Sequence, residues 1–357
     1  MNDLVRYSWL DKLVHRVAFA APVLQIALSD VEDGLFRQKT GAVPDTPPVF
    51  VTSLPRAGTT ALLKFLAHLP GFATHTYRDM PFVMAPLLWD RLSGAFRKRS
   101  ELAERAHGDG IQVGFDSPEG FEEVIWHAYW PGHYEPAGIQ LWTVNDADPD
   151  AVGFFWRHFR KVVALRGTAG GAPGRYLSKN NANMGRIDLL QKIFPGATVI
   201  VPVRHPLSQA ASLLRQHRNF TELHRHNPFV RCYMSDIGHF EFGALHRPLL
   251  FPGFRDMSFG LSPDALDYWL AYWIAAFEHV LKRRDAVSLV RFESFVSGDP
   301  ATILCLCELV ETDPSHAARL TKDLRPAPPV SPEALAHRGP LRDRAEALYR
   351  ELFEGST

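Results

Sequence analysis

Cysteine is scarce in this sequence of 357 residues, and the three that occur lack the spacing of metal ligands. Cys305 and Cys307 stand two apart in a run with helical character, so they would point to different sides of the helix. This scarcity argues against a disulfide framework and favours a reducing compartment. We therefore predict a cytoplasmic protein.

The sequence also lacks an excess of charge of either sign. Its 39 basic and 39 acidic residues give a formal net charge of +0. Such a balance provides no bulk attraction to nucleic acid or to acidic membranes, so any anion site must be local. The histidines of the region from 217 to 246 show no convincing metal spacing, and no nucleic-acid partner is expected.

Long hydrophobic runs are absent as well. The opening residues, MNDLVRYSWLDK, have no basic region that leads into an apolar core, so we expect no secretory signal peptide. The most apolar early run, residues 17–28 (VAFAAPVLQIAL), is too short to span a bilayer, and Pro22 interrupts it. A helix packed against the body of the domain is the favoured interpretation, while peripheral contact with a membrane stays open.

Apolar β-rich runs alternate with helical segments along the chain. Strands are expected at residues 48–53, 197–203 and 286–292, with a shorter one just before Lys179. Strands that alternate with helices predict an α/β fold, in which helices cover both faces of a central parallel sheet. We predict one domain over residues 1–357. Residues 1–47 would form an N-terminal helix and connector, and the irregular residues 219–262 a lid or substrate loop.

Residues 51–60 (VTSLPRAGTT) have the pattern of a phosphate-binding loop between a strand and a helix. The nucleoside-triphosphate form, G-x-x-x-x-G-K-S/T, places Gly58 at the second glycine and Thr60 at the hydroxyl position. Ser53 replaces the first glycine, however, and Thr59 replaces the lysine. The N–H groups at the start of the helix can still hold an anion, and these belong to Ala57, Gly58, Thr59 and Thr60.

Arg56 lies within this loop and offers a guanidinium group suited to a tetrahedral oxyanion. Without the lysine, the loop is a poor site for a magnesium-bound triphosphate. A plain strand-to-helix turn with an arginine beside it is the competing interpretation.

Residues 194–212 (FPGATVIVPVRHPLSQAAS) repeat the order of strand, turn and helix. Arg204 lies where the strand ends, and Ser208 and Ser212 are four residues apart on one face of the next helix. Ligands of parallel sheets collect at the carboxyl ends of the strands, so this arginine and the first loop can face the same ligand. The two motifs therefore offer two separate phosphate sites, and neither has the lysine of the nucleoside-triphosphate loop. This combination indicates a nucleotide with phosphates at two ends.

These two motifs together resemble the signatures of sulfotransferases that use 3′-phosphoadenosine 5′-phosphosulfate (PAPS). The resemblance covers roughly residues 48–311, including residues 288–300 (SLVRFESFVSGDP), and is closest to the bacterial and tyrosylprotein-type branches. It implies a P-loop nucleotide-binding-like fold of three layers. It also implies that the first loop holds the 5′-phosphosulfate, and that Arg204 and Ser212 hold the 3′-phosphate. His205 departs from the family, which usually has Asp there, and leaves open what orients Arg204.

The resemblance further suggests catalytic residues. Arg56 and Lys179 are expected to stabilise the charge of the sulfonate as it leaves. Cytosolic members carry a histidine base two residues after this lysine, but here the residue is Asn181. The tyrosylprotein-type branch instead uses a carboxylate, and Asp79 occupies the corresponding place. The competing interpretation is an Asp79 that pairs with Arg78 or caps a helix.

Two acids, Asp116 and Glu119, rank second as bases because their spacing fits a helix cap. Several aromatic residues could stack on a sugar or ring, although such residues more often form core: Trp126, Tyr129, Trp130 and Trp142. The acceptor would be selected by loops at residues 84–115 and 219–262.

The sequence thus predicts a PAPS-dependent sulfotransferase that needs no metal. Its acceptor would be a hydroxyl of a carbohydrate, a lipid or another metabolite. Two alternatives stay open, a divergent P-loop kinase for small molecules and a catalytically inactive protein of the same fold that binds nucleotide or glycan.

Overall fold

The computed structural model describes residues 9–94, 103–104, 112–167, 174–326 and 329–354. Most of the central part of the proposed acceptor loop at 84–115 lies outside these residues, at positions 95–102 and 105–111.

The strands of the described residues are short. In chain order they are β1 (Val49–Val51), β2 (Phe72–Ala73), β3 (Ala103–Glu104), β4 (Gln112–Val113), β5 (Tyr134–Glu135), β6 (Gly138–Ile139), β7 (Arg175–Lys179), β8 (Thr198–Val203) and β9 (Ser288–Arg291).

The α-helices of the described residues are α1 (Trp9–Ala18), α2 (Pro22–Leu35), α3 (Arg37–Gly41), α4 (Thr59–Ala67), α5 (Pro86–Ser93), α6 (Glu123–Tyr129), α7 (Pro149–Arg166), α8 (Ile187–Ile193), α9 (Pro206–His226), α10 (Pro228–Asp236), α11 (Phe254–Met257), α12 (Leu266–Leu281), α13 (Phe292–Val296), α14 (Pro300–Leu309), α15 (Pro332–Ala336) and α16 (Pro340–Glu351).

Five strands form the central sheet, in the order β2-β7-β1-β8-β9, and every neighbouring pair is parallel. β1 lies in the middle of the sheet, where Val49 pairs with Leu177 of β7 and Thr198 of β8. The predicted α/β fold is therefore confirmed, and the strands expected at 48–53, 197–203 and 286–292 correspond to β1, β8 and β9. The two remaining pairs, β3–β4 and β5–β6, are antiparallel.

The sheet separates two hydrophobic clusters, as β1 shows with alternating side chains. Phe50 packs on one face, where its ring centroid lies 5.5 Å from that of Phe194. Val49 and Val51 belong to the cluster on the other face, together with Leu62 of α4. Because successive strand residues point to opposite faces, three buried residues in a row require cover on both sides. The predicted three-layer arrangement follows from this pattern.

Residues 219–262 contain more helix than their sequence pattern indicated. α9 continues to His226 rather than ending near 218, and α10 and α11 follow it. Phe220, Phe242 and Phe254 of this segment are buried in the larger hydrophobic cluster. Its proposed role as a lid or substrate loop stays a prediction.

The N-terminal region is helical from Trp9 onward, as α1, α2 and α3. Within the described residues, no single helix is both long and apolar enough to cross a membrane. Residues 12–18 and 22–35 pass that test only as a pair, and the chain bends by 83° between them.

Candidate functional site

The first phosphate-binding motif forms the loop between β1 and α4. Arg56 adopts a φ of 71° and Gly58 a φ of 89°, both in the left-handed region, and α4 begins at Thr59. A Cβ at position 58 would lie 2.3 Å from the ring of Phe292, so the backbone approaches this ring more closely than a side chain allows. The strained conformation of a non-glycine residue such as Arg56 is characteristic of functional loops. α4 begins directly after this loop, and the role of its first N–H groups as anion donors stays a prediction.

Arg204 joins the second motif to this loop. It follows β8 directly, and its Nη1 donates to the carbonyl oxygen of Arg56 at 3.0 Å. Its Nε and Nη2 donate to Ser208 Oγ at 3.1 and 2.8 Å. The guanidinium carbon lies 5.1 Å from the ring centroid of Phe292. Arg204 is thus held at the junction of the two motifs.

Ser212 lies one turn further along α9 and also contacts the first loop. Its Oγ accepts a hydrogen bond from Arg56 Nε at 3.1 Å and another from Arg215 Nη2 at 3.3 Å. Burial, together with the positive charges of Arg56 and Arg215, lowers the pKa of Arg204 to about 10 despite the nearby Glu293. At neutral pH this arginine stays charged, so the serines lie within a concentration of positive charge that suits a phosphate dianion.

The structure shows what orients Arg204 although position 205 is a histidine rather than an aspartate. Arg204 is oriented by Ser208 and by the carbonyl of Arg56, so it needs no carboxylate at the next position. The backbone N–H of His205 donates instead to Glu293 Oε1 at 3.0 Å, and Glu293 Oε2 accepts from Tyr349 at 3.1 Å. A carboxylate from the segment after β9 therefore fixes the backbone beside Arg204.

Lys179 ends β7, where it is paired in register with Val51 of β1. It therefore lies at the same edge of the sheet as the first loop, as predicted. Its Nζ donates to Glu119 Oε1 at 3.3 Å, and the hydroxyl of Tyr77 donates to Glu119 Oε2 at 2.9 Å. The side chains of Lys179 and Glu119 are 14% and 11% exposed, so solvent reaches both. The structure brings together a lysine and a carboxylate that the sequence treated separately.

Asn181 connects this lysine segment to the first loop. Its Oδ1 accepts a hydrogen bond from Thr59 Oγ1 at 3.2 Å, and its Nδ2 donates to Glu241 Oε1 at 2.9 Å. Burial alone would raise the pKa of Glu241, but His239, Lys179 and Asn181 outweigh it and lower that pKa to about 2. Glu241 therefore stays ionised and fixes the orientation of the Asn181 amide.

Asp79, the leading candidate for the base, lies in a 3-10 turn formed by Tyr77–Asp79 and is 2% exposed. Its carboxylate accepts hydrogen bonds from His75 Nδ1 and Arg166 Nη2, both at 2.6 Å, and caps the turn through the backbone N–H of Thr76. Burial would raise the pKa of Asp79, but His75 and Arg166 outweigh it and lower that pKa. A buried carboxylate with these partners is a weak proton acceptor, so its catalytic role stays a prediction.

Arg78 and Asp116 lie near the surface, whereas Glu119 lies in the candidate site. Arg78 forms a bidentate ion pair with Asp116, whose side chain is 67% exposed. This pair accounts for both residues without a ligand. The other acid ranked second in the sequence, Glu119, contacts Lys179.

The aromatic residues considered for acceptor stacking form core instead. Trp126, Trp130 and Trp142 are at most 9% exposed, and Tyr129 is half-buried against Phe154. The guanidinium of Arg186 lies between the rings of Trp126 and Trp142, 4.3 and 3.9 Å from their centroids. It also pairs with Glu123 at 2.8 Å, so this assembly is a buried structural centre.

Sequence reasoning missed three charged residues of the site. Arg215 could have been found from its position three residues after Ser212 on one helix. Glu293 lies in the stretch 288–300 that the resemblance includes, but its contact with the backbone of His205 was not predicted. Glu241 carried no local signal, because it reaches the site from a distant part of the chain. Within the part of the chain that the structure describes, no group of three or more His, Cys, Asp or Glu side chains is arranged to hold a metal ion.

Comparison with known proteins connects this geometry to a family. The model of the sulfotransferase family matches residues 47–247, which include both phosphate motifs, Lys179 and Glu241. The search of curated proteins found no match.

Several solved structures resemble the chain. A sulfotransferase from Mycobacterium tuberculosis shares 15% identity and a TM-score of 0.49, over 98% of this chain and 87% of that one. One from Mycobacterium avium shares 15% identity and a TM-score of 0.44, over 90% of this chain and 79% of that one. A sulfotransferase domain from the curacin biosynthetic pathway shares 14% identity and a TM-score of 0.39, over 86% and 98%.

Proposed function

The chain belongs to the sulfotransferase family, and from this premise we propose that it transfers a sulfuryl group from PAPS to the hydroxyl of a small molecule or glycan. The observation that carries the proposal is the junction of the two anion motifs. Arg204 binds the carbonyl of Arg56, while Arg56 binds Ser212, so the two phosphate sites share one set of contacts. A nucleotide with phosphates at both ends fits such a pair of sites.

The first loop would hold the 5′-phosphosulfate. The N–H groups of Ala57, Gly58, Thr59 and Thr60, around the start of α4, would donate to its oxygens, and Arg56 would supply positive charge. Arg204 and Ser212 would hold the 3′-phosphate, and Arg215 adds a third guanidinium beside that serine. The phosphates of the proposed ligand would contact arginines whose positions the protein already fixes, namely Arg56, Arg204 and Arg215.

In the transfer step, a bond forms between the acceptor oxygen and sulfur, and the bond from sulfur to the bridging oxygen of the 5′-phosphate breaks. Lys179 would stabilise the negative charge that develops on that bridging oxygen. The acceptor proton must pass to a base. We propose Glu119 for this role because it touches Lys179 and is accessible, whereas Asp79 is enclosed by His75 and Arg166.

Ligand binding tests the nucleotide assignment. Isothermal titration calorimetry should show much tighter binding of adenosine 3′,5′-bisphosphate, the product nucleotide, than of ATP with magnesium. Equal or tighter binding of ATP with magnesium would refute the proposal and favour a small-molecule kinase.

Turnover of PAPS with a panel of hydroxyl acceptors tests catalysis separately. We expect release of the bisphosphate with at least one acceptor class. Tight bisphosphate binding without product formation across a broad panel would instead indicate a binding protein that has lost catalysis.

A further inference from the structure

The second helix, α2, has the reverse of the usual polarity of a surface helix. Its buried residues are Gln25, Ser29 and Glu32, which are polar and share one face at helical spacing. The opposite face carries Val23, Leu24, Ala27, Val31 and Leu35, all exposed. Two other apolar residues, Ile26 and Leu28, are half-buried, and Ile26 packs against the larger hydrophobic cluster. A surface helix normally turns its apolar stripe toward the core, so this arrangement needs a separate cause.

Polar contacts with α7 and α5 fix the orientation of α2. Lys161 of α7 is fully buried, and its Nζ donates to Ser29 Oγ at 2.6 Å and lies 3.2 Å from Glu32 Oε2. Glu32 Oε1 also accepts from the backbone N–H of Leu88 at 2.6 Å. Turning the helix over would leave Lys161 without these partners in the interior, at a high cost in desolvation. The apolar face is therefore held outward.

The first helix, α1, carries an exposed apolar stripe of its own. Trp9, Leu13 and Val17 follow one another at intervals of four residues and are 75%, 48% and 52% exposed. The opposite side of α1 is anchored by His15, whose Nε2 lies 2.9 Å from Asp236 Oδ2 of α10.

We call the exposed side chains of α1 and α2 the N-terminal apolar face, which consists of Trp9, Leu13, Val17, Val23, Leu24, Val31 and Leu35. Among the described residues, it contains seven of the thirteen exposed large hydrophobic side chains of the protein, so it differs from scattered exposure.

The charges that border this face are mainly basic where they are exposed. Arg16 lies beside the apolar stripe of α1, and Arg37 and Lys39 follow α2 directly. Two of the three acids of α2 face cations of α7: Glu32 lies 3.2 Å from Lys161, and Asp33 lies 2.8 Å from Arg157 and 2.7 Å from Lys161. Asp30 is the exposed acid, with a side chain 62% exposed and 4.0 Å from Arg157, so the three basic residues outnumber it. A symmetric contact with a second copy would bring the basic residues of both chains near one another. An anionic surface is therefore the better complement.

We propose that the N-terminal apolar face docks on the surface of a bilayer that contains anionic lipids, with α1 and α2 lying in the interface. The two helices bend by 83° at their junction, and α2 is tied to the protein along its polar side, so they can lie in the interface but not cross it. Apolar side chains would enter the boundary between headgroups and acyl chains, and the basic residues would contact phosphate groups. This proposal does not depend on the reaction.

Vesicle sedimentation with the full chain tests the docking. The wild-type protein should sediment with vesicles of phosphatidylcholine and phosphatidylglycerol, and less with phosphatidylcholine alone. Replacing Trp9, Leu13 and Val17 together by serine should weaken the partition by about tenfold or more, because their apolar surface no longer leaves water. The matched control replaces Phe259 and Leu304, exposed elsewhere, by serine and should keep wild-type binding.

Two further variants separate the contributions. The pair Val23→Ser and Val31→Ser should also weaken binding, which tests α2 by itself. Arg16→Glu should reduce binding to anionic vesicles selectively. Thermal unfolding and binding of adenosine 3′,5′-bisphosphate should be retained in each variant, which shows that the fold is intact.

Three outcomes would overturn the proposal. They are a wild-type protein that does not sediment with anionic vesicles, serine variants that bind as well as wild type, and a dimer in analytical ultracentrifugation that the triple serine variant dissociates.

Discussion

The two halves of the candidate site hold their charges in opposite ways. On the proposed nucleotide side, the hydrogen bonds of Arg204 go to the hydroxyl of Ser208 and a backbone carbonyl, and no carboxylate among the described residues forms an ion pair with it. On the acceptor side, carboxylates meet cations directly: Glu119 meets Lys179 and Asp79 meets Arg166. Both halves lie at the carboxyl edge of one parallel sheet.

This difference shows how one sheet edge can serve two purposes. Neutral partners orient a guanidinium without neutralising it, so the nucleotide side keeps positive charge for a phosphate. Ion pairs fix the acceptor side and neutralise it, so a neutral hydroxyl can approach without an excess charge. The proposed reaction requires that the pair of Glu119 and Lys179 exchange partners when both substrates are bound.

The strongest test of the acceptor side is Glu119→Gln. Loss of a general base should lower kcat by roughly 10²–10⁴-fold, while the affinity for adenosine 3′,5′-bisphosphate stays near wild type. Steady-state turnover with an acceptor from the panel, together with calorimetry, measures both quantities. Asp79→Asn is the matched comparison. If Asp79→Asn abolishes turnover in a folded protein and Glu119→Gln does not, the assignment of the base is reversed.

On the nucleotide side, Arg204→Ala should weaken binding of the bisphosphate by roughly 10- to 150-fold, because a hydrogen bond to a charged group contributes about 1.5–3 kcal/mol. Arg204→Lys should recover only part of this loss, since an ammonium cannot reproduce the two-pronged geometry. Arg218→Ala, on the same helix, provides the control in the calorimetric titration. Equal effects of Arg204→Ala and Arg218→Ala would contradict a specific phosphate contact.

Each half of the candidate site contains a glycine with no room for a side chain, and the costs of replacing the two can be compared. A Cβ at Gly120 would lie 1.8 Å from the backbone oxygen of Lys179, whereas at Gly58 it would meet the side chain of Phe292 at 2.3 Å. Overpacking of this kind costs about 1–3 kcal/mol of unfolding free energy. We expect Gly120→Ala near the upper end of that range, because β7 cannot move as a ring can.

Chemical denaturation checks this order, with Gly132→Ala as the control, since nothing lies within 4 Å of its Cβ position. Gly58→Ala also carries the strain of a left-handed φ of 89° for a residue with a Cβ. A larger loss for Gly58→Ala than for Gly120→Ala would therefore contradict the expected order and show that this strain outweighs the clash with β7.

The smallest expected effect is on the pH dependence of stability. The pKa of Asp79 is lowered below its ordinary value of 3.8 in the folded protein. Its contribution to stability is therefore complete above pH 3.8 and is lost as the pH falls through the folded-state pKa. Asp79→Asn should flatten the fall in unfolding free energy on acidification, relative to wild type and to the exposed control Asp285→Asn. If the unfolding free energy of Asp79→Asn falls with pH as steeply as that of wild type, the ionised Asp79 does not contribute to stability in this way.

Sequence patterns predicted the parts of the site that depend on neighbours along the chain. Gly58, Arg204 and Ser212 were identifiable because a strand, a turn and a helix start fix them locally. The pairing of Lys179 with Glu119 could not be predicted, because the two residues come from separate segments of the chain. α2 shows the same limit on a larger scale. The apolar run at residues 17–28 predicted a helix packed against the domain, and α2 does pack there, but mainly through its polar side, which contacts Lys161 of α7.

The sequence by itself determined the α/β fold and the two anion motifs, because hydrophobic periodicity and helix starts are local properties. Tertiary structure decided which carboxylate meets Lys179, what orients Arg204 and which face of α2 meets solvent. These outcomes depend on the cost of burying charges and on the partners that satisfy them. Those partners lie far apart in the chain and meet only in the folded protein.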